Sequence, residues 1–153
     1  MNMRDYFPDN NDNTHEYDTA QRVKILGISE KRQNELKKME VKEIPSVGDY
    51  ENSVEEINTD NIIGVARATI WANTWWDMLS PECCHKNNNF KLFNIDTFDK
   101  VLLNPDKEDY PSVIETNKEE YYISGNGLHR LTIAKCLGNK KAVVVVERKC
   151  DDK

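Results

Sequence analysis

Hydrophobic residues in this chain fall into short clusters separated by polar stretches, and the spacing within each cluster points to a kind of element. Residues 1–20 hold little to bury. Asp9-Asn10-Asn11-Asp12-Asn13-Thr14-His15-Glu16 is polar and acidic, which predicts a flexible tail ahead of one domain over 21–153. Ser29 followed by Glu30-Lys31-Arg32-Gln33-Asn34-Glu35-Leu36-Lys37-Lys38-Met39 reads as an N-capped surface helix. Its narrow apolar stripe is Leu36 and Met39, beside Ile28. Val41 to Val47 alternates weakly around Pro45 and predicts an edge strand or extended segment. Val54-Glu55-Glu56-Ile57 predicts a short strand and Asn58-Thr59-Asp60-Asn61 a turn. Ile62-Ile63-Gly64-Val65-Ala66-Arg67 predicts a buried run that ends on a charge.

Over 70–79, Trp71, Trp75, Met78 and Leu79 share one face at helical spacing, Trp76 lies off that face, and Pro81 marks the stop. Such a stripe is read as core rather than as a platform for bases. Residues 82–111 are polar and irregular, pinned by Phe90, Leu92, Phe93, Ile95 and Phe98, with one short helix or strand over 99–103. Ser112-Val113-Ile114-Glu115 and Glu120-Tyr121-Tyr122-Ile123 flank Thr116-Asn117-Lys118-Glu119 as a hairpin. A helix from Leu128 to Leu137 is closed by Gly138, and Ala142-Val143-Val144-Val145-Val146 reads as a fully buried strand. Strand, helix, strand suggests a right-handed crossover. The fold class expected is α+β, a small mixed β-sheet flanked by helices.

Composition narrows the function classes. A net charge of -6 argues against a general nucleic-acid surface, because neutralising phosphates needs clustered Lys and Arg. No apolar run approaches the roughly 18–20 residues that span a bilayer, so no membrane partner is expected. Met1-Asn2-Met3-Arg4-Asp5-Tyr6 has no apolar signal region, which makes a cytoplasmic location and reduced thiols the expectation for Cys83, Cys84, Cys136 and Cys150. Cys83-Cys84-His85 lacks the second ligand pair of a zinc site and reads as two thiols in a polar loop, so no metal site is assigned.

The stretch with most chemistry is Tyr121-Tyr122-Ile123-Ser124-Gly125-Asn126-Gly127-Leu128-His129-Arg130. A strand, a glycine turn and a helix start place backbone N–H groups at the positive end of a helix dipole, a seat for an anion. Gly125 and Gly127 supply φ freedom and let a ligand approach the backbone. Asn126 can cap, His129 offers a donor near neutral pH, and Arg130 offers a planar fork for phosphate or carboxylate oxygens. The turn lacks the GxxxxGK[ST] of a Walker loop, and Arg130 stands where the third glycine of a dinucleotide fingerprint would be. A purely structural reading stands beside the anion seat: a glycine-rich cap, with Arg130 paired to a carboxylate and His129 packed. The two readings differ in whether His129 and Arg130 face an open concavity.

From about Val54 to Glu147 the chain resembles the ParB/sulfiredoxin-like domain family. The residues that carry the resemblance are Tyr122-Ile123, then Asn126-Gly127-Leu128-His129-Arg130, Leu131 with Ala134 and Gly138, and Val143-Val144-Val145-Val146. Val54-Glu55-Glu56-Ile57 with Ile62-Ile63-Gly64 matches the opening of some ParB-like members. The first 40 residues have no counterpart. The resemblance implies that Gly125, Asn126, Gly127, Leu128, His129 and Arg130 cradle the phosphates of a nucleotide, ATP or CTP with Mg2+. Sulfiredoxins carry a catalytic cysteine where this chain has Leu128, which has no nucleophile to offer, and Cys136 lies two turns further on; sulfiredoxin activity is rejected. Partition proteins follow this domain with a DNA-binding region, which the chain to Lys153 does not show. Many ParB-like domains carry Asp where Asn126 stands.

Arg67 is the further cofactor-binding candidate, from an adjacent strand end. Glu56 or its neighbour Glu55 is the candidate general base, and only one of the two can face the pocket. Asp60 is a candidate for a metal-nucleotide, and Lys135 for added positive potential. The plain alternative is a surface ion pair for Arg67 and solvated surface for Glu55, Glu56 and Asp60. The function expected is nucleotide or phosphate binding, with nucleotide hydrolysis, phosphoryl transfer or phosphodiester cleavage at His129, Arg130 and Glu56. The alternative is a non-enzymatic binding module of a mobile-element or toxin system, with a protein or nucleic-acid partner, using the same pocket.

Overall fold

The computed structural model describes residues 17–44, 50–66, 72–84 and 88–149. Helix α1 spans Thr19–Leu26. It begins inside the stretch read as a tail, because Asp18 and Gln21 form a reciprocal capping box at 2.8 and 3.0 Å. Gly27, at φ +75°, ends it in the left-handed region. Helix α2, Glu30–Lys38, has the expected Ser29 cap and buries Leu36 completely. Then come β1, Lys42–Glu43; β2, Tyr50–Asn58; a 3-10 turn, Thr59–Asn61; and β3, Ile62–Val65. The tryptophan helix is shorter than its pattern: α3 spans Trp75–Met78. Thr74 and Asp77 cap it reciprocally, and residues 73–75 are tied to Met39 and Val41 by backbone hydrogen bonds, so Thr74, just ahead of Trp75, is extended. Trp75, Met78 and Leu79 are core as expected, and Trp76 lies under the Lys37 ammonium at 4.5 Å; Trp71 lies outside the described residues.

Helices α4, Asn88–Lys91, and α5, Ile95–Leu103, lie in the region read as irregular apart from one short element over 99–103, which α5 contains. Phe90 is buried and Phe93 meets Phe98 at 5.5 Å, whereas Leu92 and Ile95 are exposed and pin nothing. The hairpin is β4, Ser112–Asn117, with β5, Glu120–Ile123; α6, Leu128–Leu137, and β6, Lys141–Lys149, complete the described chain.

The six strands form one mixed sheet in the order β1-β3-β5-β4-β6-β2. β1 sits at one edge, parallel to β3, as its weak alternation predicts; Pro45 and Val47 lie outside the described residues. The sheet differs from the expected crossover. β4 lies between β5 and β6, antiparallel to the first and parallel to the second, so β5 and β6 run in opposite directions and the handedness rule for parallel pairs does not apply. The cause is the hairpin, which places β4 on the side where a crossover would return.

One sheet face carries the main core. Ile57, Ile62, Val65, Val113, Tyr121, Ile123, Ala142, Val144 and Val146 pack there against Val23, Leu36, Trp75, Met78, Phe90, Leu102 and Leu131 from the helices. The other face carries a small cluster, Ala66, Ile114 and Tyr122, flanked by Ile44, Tyr50 and Ile63. The valine run is therefore not buried on both sides. Ala142, Val144 and Val146 are buried, while Val143 and Val145 point to the thinner face and are half-buried.

Arg22 is wholly buried beneath α1. Its Nη1 donates to the carbonyls of Leu79 and Cys84 at 2.9 and 2.5 Å, and its guanidinium lies 4.3 Å from the Phe90 ring centre. It ties the first helix to the turn after α3 and to α4.

Candidate functional site

The hairpin, the glycine turn and α6 meet at one end of the sheet. β5 ends at the buried Ile123, and Ser124 continues the pairing by donating its amide to Ser112 O at 3.0 Å. The amide of Gly125 donates to Ser112 Oγ at 2.9 Å, and a Cβ on Gly125 would stand 2.6 Å from that oxygen. Gly127 has φ +91°, and its missing Cβ leaves room for Pro111, whose Cβ and Cα would lie 2.5 and 2.9 Å away. Both glycines thus admit a close approach, but the approaching group is the protein's own chain at 111–112 rather than a ligand.

Helix α6 starts at Leu128 with no side chain capping it. Its first intrahelical bond runs from Leu131 N–H to Gly127 O at 2.8 Å, which leaves the amides of Leu128, His129 and Arg130 ahead of the ladder at the positive end of the dipole. Arg130 and Asn126 reach to one acceptor. Arg130 Nη2 donates to Asp109 Oδ2 at 2.7 Å, Arg130 Nη1 to Asp109 O at 3.1 Å, and Asn126 Nδ2 to Asp109 Oδ1 at 2.6 Å. Arg130 is largely enclosed, its side chain 19% exposed against 50% for Asp109. Burial would push the Asp109 carboxyl up, but the hydrogen bonds from Asn126 and Arg130, with the guanidinium charge, outweigh it and hold the group below the ordinary carboxylate range. Arg130 is therefore committed to an ion pair, as the purely structural reading expects, but the pair is enclosed only on the arginine side and open to solvent on that of Asp109. His129 is half-buried and its Nε2 is shut off from solvent.

The other sequence candidates lie apart. Glu56 is exposed on β2, opposite Val143, on the thinner sheet face. With β4 and β6 between β2 and β5, it stands three strand spacings from the turn, about 14 Å. Glu55, on the main-core face, pairs with Arg148 Nη1 and Nη2 at 2.5 and 3.0 Å, and Arg148 Nε also meets Glu115 at 2.6 Å. Hydrogen bonds from Arg148 and Ser53 hold the Glu55 carboxyl down at about 2. Lys135 does not add charge to the turn. It is buried, donates Nζ to Asp60 O at 2.7 Å, and burial lowers its pKa. Asp60 accepts from Asn139 N at 3.0 Å, at the opposite end of α6. Cys136 is wholly buried, and burial pushes its thiol well up, which removes it as a nucleophile. Arg67 and His85 lie outside the described residues.

Four polar groups beside the turn have no part in the sequence reading: Asp109, and three that lie together. Ser124 Oγ lies 3.2 Å from Ser112 Oγ and 3.4 Å from Glu147 Oε2, on the thinner sheet face. Ser124 adjoins Gly125 and was findable; Ser112 and Glu147 are brought there only by strand order. Concavities of about 400 and 490 Å3 lie elsewhere, the first against Arg32, Asp60 and Gly138, the second against Asp77, Ser80 and Cys83. Among the described residues, no group of three or more His, Cys, Asp or Glu is placed to hold a metal alone. Glu147 and the two serine hydroxyls are oxygen donors beside the turn that suit a hard cation shared with phosphates. Compared with family models, curated proteins and solved structures, the chain finds no match in any of the three.

Proposed function

We propose that the chain is a ParB-like phosphate-binding domain that takes the phosphates of a nucleotide, ATP or CTP with Mg2+, at the start of α6. The observation that carries this reading is the seated carboxylate: Asn126 Nδ2 and Arg130 Nη2 each hold one oxygen of Asp109, at 2.6 and 2.7 Å, before a helix terminus with no side-chain cap. Two side-chain donors that fit the oxygens of a carboxylate also fit those of a phosphate. Glu147, with the Ser112 and Ser124 hydroxyls, would share a cation with it.

Binding without turnover is the form of this reading that the geometry favours. The candidate base Glu56 is remote, and Leu128 supplies no nucleophile. The module would then serve a protein or nucleic-acid partner, as in a mobile-element or toxin system. Hydrolysis, phosphoryl transfer or phosphodiester cleavage would instead draw on the Ser124–Glu147 pair beside the turn, 3.4 Å apart. The net charge of -6 speaks against independent action on long DNA.

Calorimetry and thermal shift against ATP, CTP, GTP and ADP with Mg2+ test the reading. The wild type is expected to bind at least one of them and Arg130→Ala none. If no nucleotide binds or stabilises the wild type, the phosphate site is abandoned. A nucleotide that binds and stays intact through long incubation decides for the binding module; one that turns over decides for the enzyme.

A further inference from the structure

Asp109 lies on the segment 104–110 between α5 and β4, which forms neither helix nor strand. The segment is fixed at both ends: Asn104 N–H donates to Lys100 O at 2.9 Å, and Pro111 O accepts from Val145 N–H at 2.8 Å. Between these anchors, Asp109 spends both carboxylate oxygens on Asn126 and Arg130. The two partners of the ion pair are unequally enclosed: Arg130 is held within the body, whereas the acid sits on the solvent side with half its side chain exposed. The acid can therefore leave while the Arg130 donors stay in place, and the anchors limit the movement to the segment itself.

We propose that Asp109 is a displaceable internal occupant of the anion site, so that a phosphate binds by taking its place on Asn126 and Arg130 and driving the 104–110 segment outward. This rests on the phosphate reading of the turn given above. The physical basis is competition for donors together with like-charge repulsion. A polyphosphate and the Asp109 carboxylate need the same Nδ2 and Nη2 donors, and two anions a few Å apart disfavour each other. The acid thus sets a threshold: only ligands with more negative charge or more acceptor oxygens than one carboxylate displace it. Monoanions are excluded, and diphosphate and triphosphate groups are the class admitted.

Titration calorimetry with inorganic pyrophosphate, on the full-length wild type and on Asp109→Asn, tests this together with hydrogen–deuterium exchange of the 104–110 amides. Asp109→Asn is expected to bind pyrophosphate about tenfold or more tighter than wild type, the worth of one charge-assisted hydrogen bond released to the ligand. Adding Arg130→Ala should cancel the gain. In the wild type, pyrophosphate should raise deuterium uptake over 104–110, whereas a ligand that merely settled on the closed site would lower it. Equal affinities for wild type and Asp109→Asn overturn the displacement while leaving the phosphate reading standing. No binding to either protein overturns both. Should Asp109→Asn fail to fold, the exchange measurement on the wild type decides alone: binding without increased uptake over 104–110 rejects the proposal.

Discussion

Replacing Gly127 by alanine asks whether the glycine turn is filled by its own chain. At φ +91°, Gly127 sits where an L-residue costs about 1–2 kcal/mol. The new Cβ would stand 2.5 Å from Pro111 Cβ and 2.9 Å from its Cα, distances that force the loop or the turn to shift. Such overpacking adds about 1–3 kcal/mol, for a total loss of about 2–5 kcal/mol. Gly27 provides the control within the same protein. It too has positive φ, +75°, but nothing lies within 4 Å of its would-be Cβ, so Gly27→Ala carries the backbone cost of about 1–2 kcal/mol alone. Urea unfolding monitored by tryptophan fluorescence suits the comparison, because Trp75 is wholly buried and changes environment on unfolding. With a slope of about 1–3 kcal/mol per molar urea, the clash should put the Gly127→Ala midpoint about 1 M below that of Gly27→Ala. Equal losses in the two variants would mean that Pro111 is not seated on the turn. The description of Gly127 as a packing residue would then be wrong, and the turn would be open to a ligand after all.

Two further substitutions probe the frame around the site. Arg22→Met keeps volume but removes the donor to Leu79 O and Cys84 O; two bonds from a charged group, offset by relief of its desolvation, give an expected loss of about 2–4 kcal/mol in urea unfolding. A methionine variant as stable as wild type would show that burying the charge costs as much as its bonds return. Glu55 has a folded pKa of about 2, below its ordinary 4.5, so its contribution to stability is complete above about 4.5 and is lost as the pH falls toward 2. Glu55→Gln should flatten the stability–pH curve across that window; the pair with Arg148 is partly exposed, so the effect is small, and an unchanged slope would discount the pair.

Local signals in the chain announced most of its elements. Ser29 before a run of helix formers, the hairpin, the Gly127-to-Gly138 helix and the strands around Val54 and Ile62 all stand where their caps and spacing put them. Helix α1 was equally legible, since Asp18-Thr19-Ala20-Gln21 is a capping box and Gly27 its stop; the polar residues before it masked a short helix that buries Arg22, Val23 and Leu26. Over Ala72–Leu79 the difference between pattern and structure has the opposite origin. An apolar period signals burial, but whether the chain ahead of Trp75 coils or extends was settled by hydrogen bonds to Met39 and Val41, more than 30 residues away.

What the sequence determined by itself is the glycine turn, with Gly127 at positive φ leading into α6, and the donors Asn126 and Arg130 at its mouth. These follow from bonds between near neighbours and from steric limits on φ. What those donors and glycines meet was set instead by packing between distant segments. Strand order put β4 between β5 and β6 and so carried Glu56 away from the turn and Ser112 and Glu147 toward it. The hairpin brought Pro111 onto Gly127 and Asp109 onto Arg130, from 16 and 21 residues up the chain. A local pattern can supply a positive end and a fork of donors. The acceptor that satisfies them is chosen by whichever distant segment the packing of the sheet delivers, and spacing along the chain carries no record of that choice.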